Sequence, residues 1–506
     1  MNRVPSPTLG AADADSRPVS AAAVPGTGAA DEYRLVAGLF LRLLGAIYLA
    51  AFASLSVQVL GLVGEGGILP LRAYQVALEA ESGAMAWVLH PMVFWISASD
   101  WMLQGATLVG CVLAVLLILG RWLRPVLVAL WLLYLSLAQA GQIFMNFQWD
   151  YLLLEAGFLA IFLPGGARVV IWLYKILLFR LRFLSGLSKL LSGDPSWAGL
   201  TALAYYFETQ PLPHEGSWVA HQFPLPVHEA LTFFSLVIEI VVPFMMFLSR
   251  TPRFIAAWLT LGMQAAILAT SNHNFFNLLS MALCLFLFDD RAVRRVLPVG
   301  LAARLAADVS PTPPGGRWRR WSLGVMAVLL LTAAAVEAWH MVRSTPLPGP
   351  LEQAMRLWRG WHLAHPYHVF PTMKTERVEV VIEGSRDGRH WRPYLFRYRP
   401  DRLDQAPRFI VPHQPRLDWM MWFVPMGPLF LDWYAAFLER LLENAPEVTA
   451  LLEHNPFADA PPRYLRSTLW RYRFTDARER TRTGHWWRRE WVGPFWPLPY
   501  LSRPGS

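Results

Sequence analysis

The stretch FQWDYLLLE, Phe147 to Glu155, sets two carboxylates at the edges of a strongly apolar run. Carboxylates lining a polar pocket can move protons; beside cations they form structural ion pairs instead. A charge at membrane depth costs about 2.5 to 3.5 kcal/mol on insertion scales. Asp150 and Glu155 must therefore lie near an interface or face a polar interior. Lys175, Arg180, Arg182 and Lys189 interrupt the apolar run that follows. Two readings stay open: structural pairing with those cations, or a functional polar pocket that opens outward.

A second concentration of polar chemistry lies between Gly186 and Ala230. Pro211, Pro213, Pro224 and Pro226 bar a continuous helix there, which puts Glu208, Thr209 and Gln210 in an irregular outer loop shielded by protein. His214, His221 and His228 recur every seven residues and would align for a metal on one helix face. The prolines remove that helix, so no metal site is expected. HEGSW and HEALT both fail the HExxH pattern of zinc hydrolases. Neither a GxSxG nucleophile elbow nor a P-loop occurs. Cys111 and Cys284 stand far apart in apolar runs with no CxxC, the pattern of buried inert thiols rather than of a thiol oxidoreductase. In SNHNFFN, Ser271 to Asn277, the amides and the histidine are placed to close a loop by hydrogen bonds.

The elements that must position these groups are mostly membrane helices. The chain has 506 residues, is 55% hydrophobic and contains 24 Trp, a composition foreign to soluble proteins of this length. Residues 1–30 are Ala, Pro, Ser and Gly without apolar periodicity, which reads as a disordered tail. Nine apolar segments follow, near 35–63, 100–120, 124–145, 151–164, 168–190, 226–249, 253–270, 274–289 and 320–343, within a transmembrane domain of residues 31–345. The connectors RWLR, GGAR, SRTPR and the stretch 291–320 hold the cations, and by the positive-inside rule they face the cytoplasm. Nine spans with an inside N-terminus then place residues 346–506 on the outer face. There TERVEVVIEGSRDGRHWRPYLFRYRP reads as a hairpin, DWYAAFLERLLENAPEVTALLEH as helix, and RSTLWRYRFT with GHWWRREWVG as another strand pair. The fold class expected is a polytopic α-helical membrane protein, N-in and C-out, with a mostly β (α+β) extracytoplasmic domain. The nine arginines between Arg463 and Arg489 lie among aromatics, and outward placement favours contact with membrane lipids over nucleic acid.

FQWDYLLLE, LTALAYYFETQPLP with SWVAHQFP, VIEIVVPF, SNHNFFNLL, EGSRDGRHWRPYLFRYRP, PHQPRLDWMMWF, LEHNPF and WRYRFT before GHWWRRE occur in that order. Together they resemble the lipase maturation factor family from about residue 35 to 500. The resemblance implies a membrane chaperone, without a cofactor, that assists folding and assembly of secreted lipases or related exported proteins. Client contacts are then expected at Glu208, Thr209, Gln210, Pro211 and Pro213, and at His413, Gln414, Arg416, Asp418, Trp419 and Trp422. LRFLSGLSKLLSGDPSW is also similar to the membrane fold of the vitamin-K-dependent carboxylase, which implies an alternative. In it, an integral membrane enzyme acts on a lipid-soluble or peptide substrate, with Lys189, Asp150, Glu155 and Glu208 lining its pocket. The Ala, Arg, Leu and Pro bias points to a bacterial inner membrane, or to the endoplasmic reticulum membrane for a eukaryotic source.

Overall fold

The computed structural model describes residues 33–309, 316–343, 345–495 and 500–502. The N-terminal tail expected to be disordered lies outside the described residues. Every apolar segment read from the sequence forms helix. The main helices of the first part are α1 (Arg34–Ser56), α2 (Asp100–Leu119), α3 (Leu123–Ala140), α4 (Gln148–Ala160), α5 (Arg168–Leu191), α6 (Ala202–Thr209), α7 (Glu215–His221), α8 (Leu225–Ile240), α9 (Arg250–Thr270), α10 (Phe276–Leu283) and α11 (Arg317–Arg343). Five of them, α1, α2, α3, α9 and α11, are long and apolar enough to cross a membrane, and α7 with α8, bent by 114°, makes up to six. The other apolar helices do not meet that measure: α4 and α10 have 13 and 8 residues, and α5 carries Arg168, Lys175, Arg180, Arg182 and Lys189 along its length.

Local chemistry explains the boundaries. Gly120 ends α2 in the left-handed conformation, φ 75°, where a side chain would be strained. Pro226 sits in the first turn of α8, where its missing N–H costs no hydrogen bond. The prolines of the 186–230 segment therefore break it into short helices rather than forbidding helix. As a consequence, Glu208 and Thr209 form the end of α6 and Gln210 its C-cap, instead of an irregular loop.

The helices gather distinct chemistry at their two ends. At one end the backbone N–H groups of Leu35 and Val36 donate to Asp290, Arg34 donates to the Val309 carbonyl, and Arg42 pairs with Asp308. Arg319 donates to the Gly165 carbonyl at 3.1 Å, and Arg250 pairs with Asp289 at 2.6 Å. The cation-bearing connectors thus collect at this end. At the other end of α1, a helix of roughly 35 Å, Ser54 and Gln58 bond the segment 413–416.

That segment belongs to the C-terminal region, which meets the helices at this second end and also reaches along them, where Trp361 stacks on Trp131. Its core is a small antiparallel sheet of β1 (Arg377–Ser385), β2 (Arg392–Pro393), β3 (Tyr464–Phe474), β4 (Trp487–Pro494) and β5 (Tyr500–Ser502) in the order β2-β1-β3-β4, with β5 also on β3. The expected hairpin is present but short: Arg392 and Pro393 pair with β1, the Tyr394 N–H adds a bond to the Ile382 carbonyl, and Leu395 then turns away to pair with His454. The second expected strand pair, β3 with β4, runs from Phe474 opposite Trp487 to Thr468 opposite Pro494. Helices α12 (Arg416–Met421) and α13 (Leu431–Glu443) belong to the same region. Tyr434 on α13 reaches Ser467 of β3 at 2.7 Å, which locks helix to sheet.

Candidate functional site

The two carboxylates of the opening stretch part company. Glu155 pairs with Arg180 of α5, as structural pairing requires, and accepts a hydrogen bond from the Tyr367 hydroxyl at 2.9 Å. Asp150 meets none of the α5 cations. Its partner is Arg416, 266 residues away, which grips both carboxylate oxygens at 2.8 and 2.9 Å. Tyr134 adds a third bond at 2.6 Å, and Asp150 is fully buried in the first turn of α4. The sequence shows the carboxylate but not its partner, since only the tertiary fold brings α12 over α4. Two further α5 cations are also engaged: Lys175 donates to Tyr33, and Lys189 pairs with Glu239 at 2.5 Å.

Around Asp150 and Arg416 lies a dense polar seam. The Arg416 backbone N–H donates to Gln58, the Gln414 backbone N–H to Ser54, and the Asn274 amide to the Gln414 side chain at 2.7 Å. Asn272 donates to the Leu212 and Arg408 carbonyls and accepts from the Ile410 N–H. The SNHN amides thus close a loop by joining the halves of the chain. Next to them Arg377 donates to the Glu208, Gln210 and Pro211 carbonyls, the Trp422 indole donates to the Thr209 carbonyl, and Glu208 accepts from the Phe474 N–H. Trp419 packs edge-on against Trp149 at 5.0 Å.

The residues expected to touch a client are therefore largely engaged within the protein. Thr209, Gln210, Gln414, Arg416, Asp418 and Trp419 are buried, as are Pro211 and Pro213, while Glu208, His413 and Trp422 are half-buried. The four residues of the enzymatic alternative are not brought together: Lys189 lines an apolar cavity whose walls include neither Asp150, Glu155 nor Glu208. The histidine trio is also dispersed in role. His214 caps α7 through the Gly216 N–H, His221 faces Glu208, and His228 packs on Phe207. Among the described residues no group of three His, Cys, Asp or Glu side chains could hold a metal. The C-terminal arginines find partners within the domain: Arg480 lies 3.5 Å over the Trp486 ring, Arg489 stacks on Trp470, and Arg466 pairs with Glu383.

Two family models match in the order of these two structural parts: the lipase maturation factor transmembrane domain over residues 35–295 and the lipase maturation factor C-terminal domain over residues 363–497. The chain belongs to the lipase maturation factor family. It is 32% identical to lipase maturation factor 2 of Rattus norvegicus, over 92% of this chain and 83% of the relative. It is also 32% identical to lipase maturation factor 2 of Homo sapiens, over 93% and 83%. Lipase maturation factor 1 of Homo sapiens is 30% identical, over 91% of this chain and 87% of the relative. No solved structure gives a significant match. Family and helices make this an integral membrane protein. The relatives are vertebrate proteins and lend no support to a bacterial inner membrane, which rests on compositional bias alone.

Within the seam, burial pushes the Asp418 carboxyl up from near 3.8 to about 7, only partly offset by the Tyr398 N–H and Arg399. The folded protein therefore holds more protons than the unfolded chain between those values, so this group makes stability fall as pH rises through the window. Asp418→Asn keeps an acceptor for Tyr398 and removes that loss; it should raise stability by up to about 4 kcal/mol at pH 8 and by little near pH 4, read as thermal midpoints across the range. Asp150→Asn does the opposite, because it strands Arg416 in the interior. A loss of about 3–5 kcal/mol is expected, with part recovered in the Asp150→Asn, Arg416→Met double variant, as measured by thermal unfolding in detergent.

Proposed function

We propose that this chain is a membrane-resident maturation factor that assists folding and assembly of secreted lipases. The observation that carries this reading is the ordered match of both family domains, supported by relatives of which it covers 83–87%. On this reading the buried seam is not the client surface but its mount. It fixes the C-terminal region against the helices, and the client meets that region's exposed apolar side chains, among them Leu429 and Trp491. Such weak apolar contact suits transient hold on a partly folded protein.

The orientation we propose is N-terminus inside and C-terminal region on the outer, lumenal side, with nine traverses. Two features support it: the cationic connectors converge at one end of the helices, and the 413–416 segment of the C-terminal region is bonded to the other. In a variant whose natural cysteines are replaced, Ala460→Cys should react with an impermeant maleimide from the lumenal side only, and Arg121→Cys from the cytosolic side only. Labelling of Ala460→Cys from the cytosol would overturn the orientation.

The function is tested by co-expression with a secreted lipase in cells that lack their own maturation factor. Specific activity per secreted lipase molecule should rise several-fold with the full chain and stay at background with a chain ending at Arg343. Equal activity with and without the full chain would sink the reading.

A further inference from the structure

A cavity of about 530 Å³ lies between α5, α8 and α9, within the ~300–1,000 Å³ range of small-molecule sites. Its walls are apolar, with Phe207, Phe234, Ile238, Met263, Ile267 and Phe370 among them. It opens sideways between α8 and α9, where Phe234, Gly262 and Ala266 are exposed. The same helices present exposed Phe233, Ile255, Trp258 and Leu259. On helices of a membrane protein such faces meet lipid, so the opening gives onto the bilayer interior rather than onto water.

The deep end differs sharply in chemistry. Arg182, Lys189 and Glu239 are its charged residues, and the formal sum of +1, +1 and −1 is +1. Glu239 is taken up by Lys189 at 2.5 Å. Arg182 makes its hydrogen bonds to neutral groups only, the Gln264 amide oxygen at 2.6 and 3.1 Å once that amide is oriented toward it and Ser280 at 3.5 Å, and shares the field of the single carboxylate Glu239 with Lys189. Three donor atoms there, Arg182 Nε, Asn277 Nδ2 and Trp197 Nε1, have no hydrogen-bond partner among the described residues. All three residues are nine-tenths or more buried. Buried donors without acceptors are costly, and a site with surplus donors and one surplus positive charge is complementary to a single anion rich in acceptors.

We propose that this cavity takes up from the bilayer a single-chain amphiphile bearing one carboxylate, of the long-chain fatty-acid class. The chain lies along the aromatic and aliphatic walls, and the carboxylate meets Arg182, Asn277 and Trp197. One unneutralised cation matches one carboxylate and not the second charge of a phosphate monoester. The carboxylate-binding groups proposed here, Arg182, Asn277 and Trp197, are neither members of the Asp150–Arg416 pair nor among the exposed apolar side chains proposed to meet a client, so the site can be tested apart from the maturation reading.

The test uses the purified full chain in detergent with cis-parinaric acid as fluorescent probe. Oleate should displace the probe from one site per chain, and oleyl alcohol, with the same chain but no charge, should need at least roughly tenfold more. Arg182→Gln should bring oleate and the alcohol to the same affinity. Gly262→Trp, where a new Cβ meets nothing within 4 Å, and separately Ala266→Trp, should block probe uptake while the thermal midpoint holds. Oleyl alcohol equal to oleate on the natural protein, oleoyl lysophosphatidate displacing the probe better than oleate, or unchanged uptake in both mouth variants would each overturn the proposal.

Discussion

The Asp150–Arg416 pair is the contact on which the rest of the architecture depends. A carboxylate with no exposure, gripped at both oxygens by a guanidinium from the far part of the chain, can be ionised at that depth only while the partner is present. Such a pair adds little net stability over a well-packed apolar one, since desolvation consumes most of its attraction. What it supplies is register. Only one placement of α12 over α4 satisfies both charges, and the Ser54, Gln58 and Asn274 bonds fall into line around it.

The seam built on that pair makes the C-terminal region an integral layer of the protein rather than a domain on a tether. Arg377 at the start of β1 collects three carbonyls from the end of α6, and Trp422 takes a fourth. The carbonyls that a helix end leaves free are thus satisfied by side chains from the sheet region. The helices and the C-terminal sheet share one polar network, which ties the posture of the sheet region to the helices beneath it.

Much of this was legible in the sequence, and the failures have physical causes. Apolar runs located the helices, and alternation located β1, β3 and β4, because both signals are local. Glu155 with Arg180 was also within reach, since neighbouring helices connected by a short loop are the natural partners. Asp150 was not, because its partner lies 266 residues on and no local pattern encodes that closure. The motifs around Glu208 and Arg416 stood out for their unusual polarity and were read as a surface; that polarity serves an internal joint. The prolines of 211–226 misled in the other direction, since at first turns and after helix ends they delimit short helices instead of excluding them. The cavity left no sequence signal, being formed by residues of several helices that are individually ordinary.

The long closure between Asp150 and Arg416 also has a consequence in time. A ribosome adding about 5–20 residues per second needs roughly 13 to 50 seconds to make the 266 residues that separate them. Throughout that interval the helical part exists with an unmatched acid at the head of α4 and with open positions at Ser54, Gln58 and Asn274. The helical part cannot be completed until the C-terminal region has been made and has folded back onto it. The chain thus has a waiting period of its own in folding, and a nascent chain stalled or truncated before residue 416 is left with Asp150 buried and without its partner.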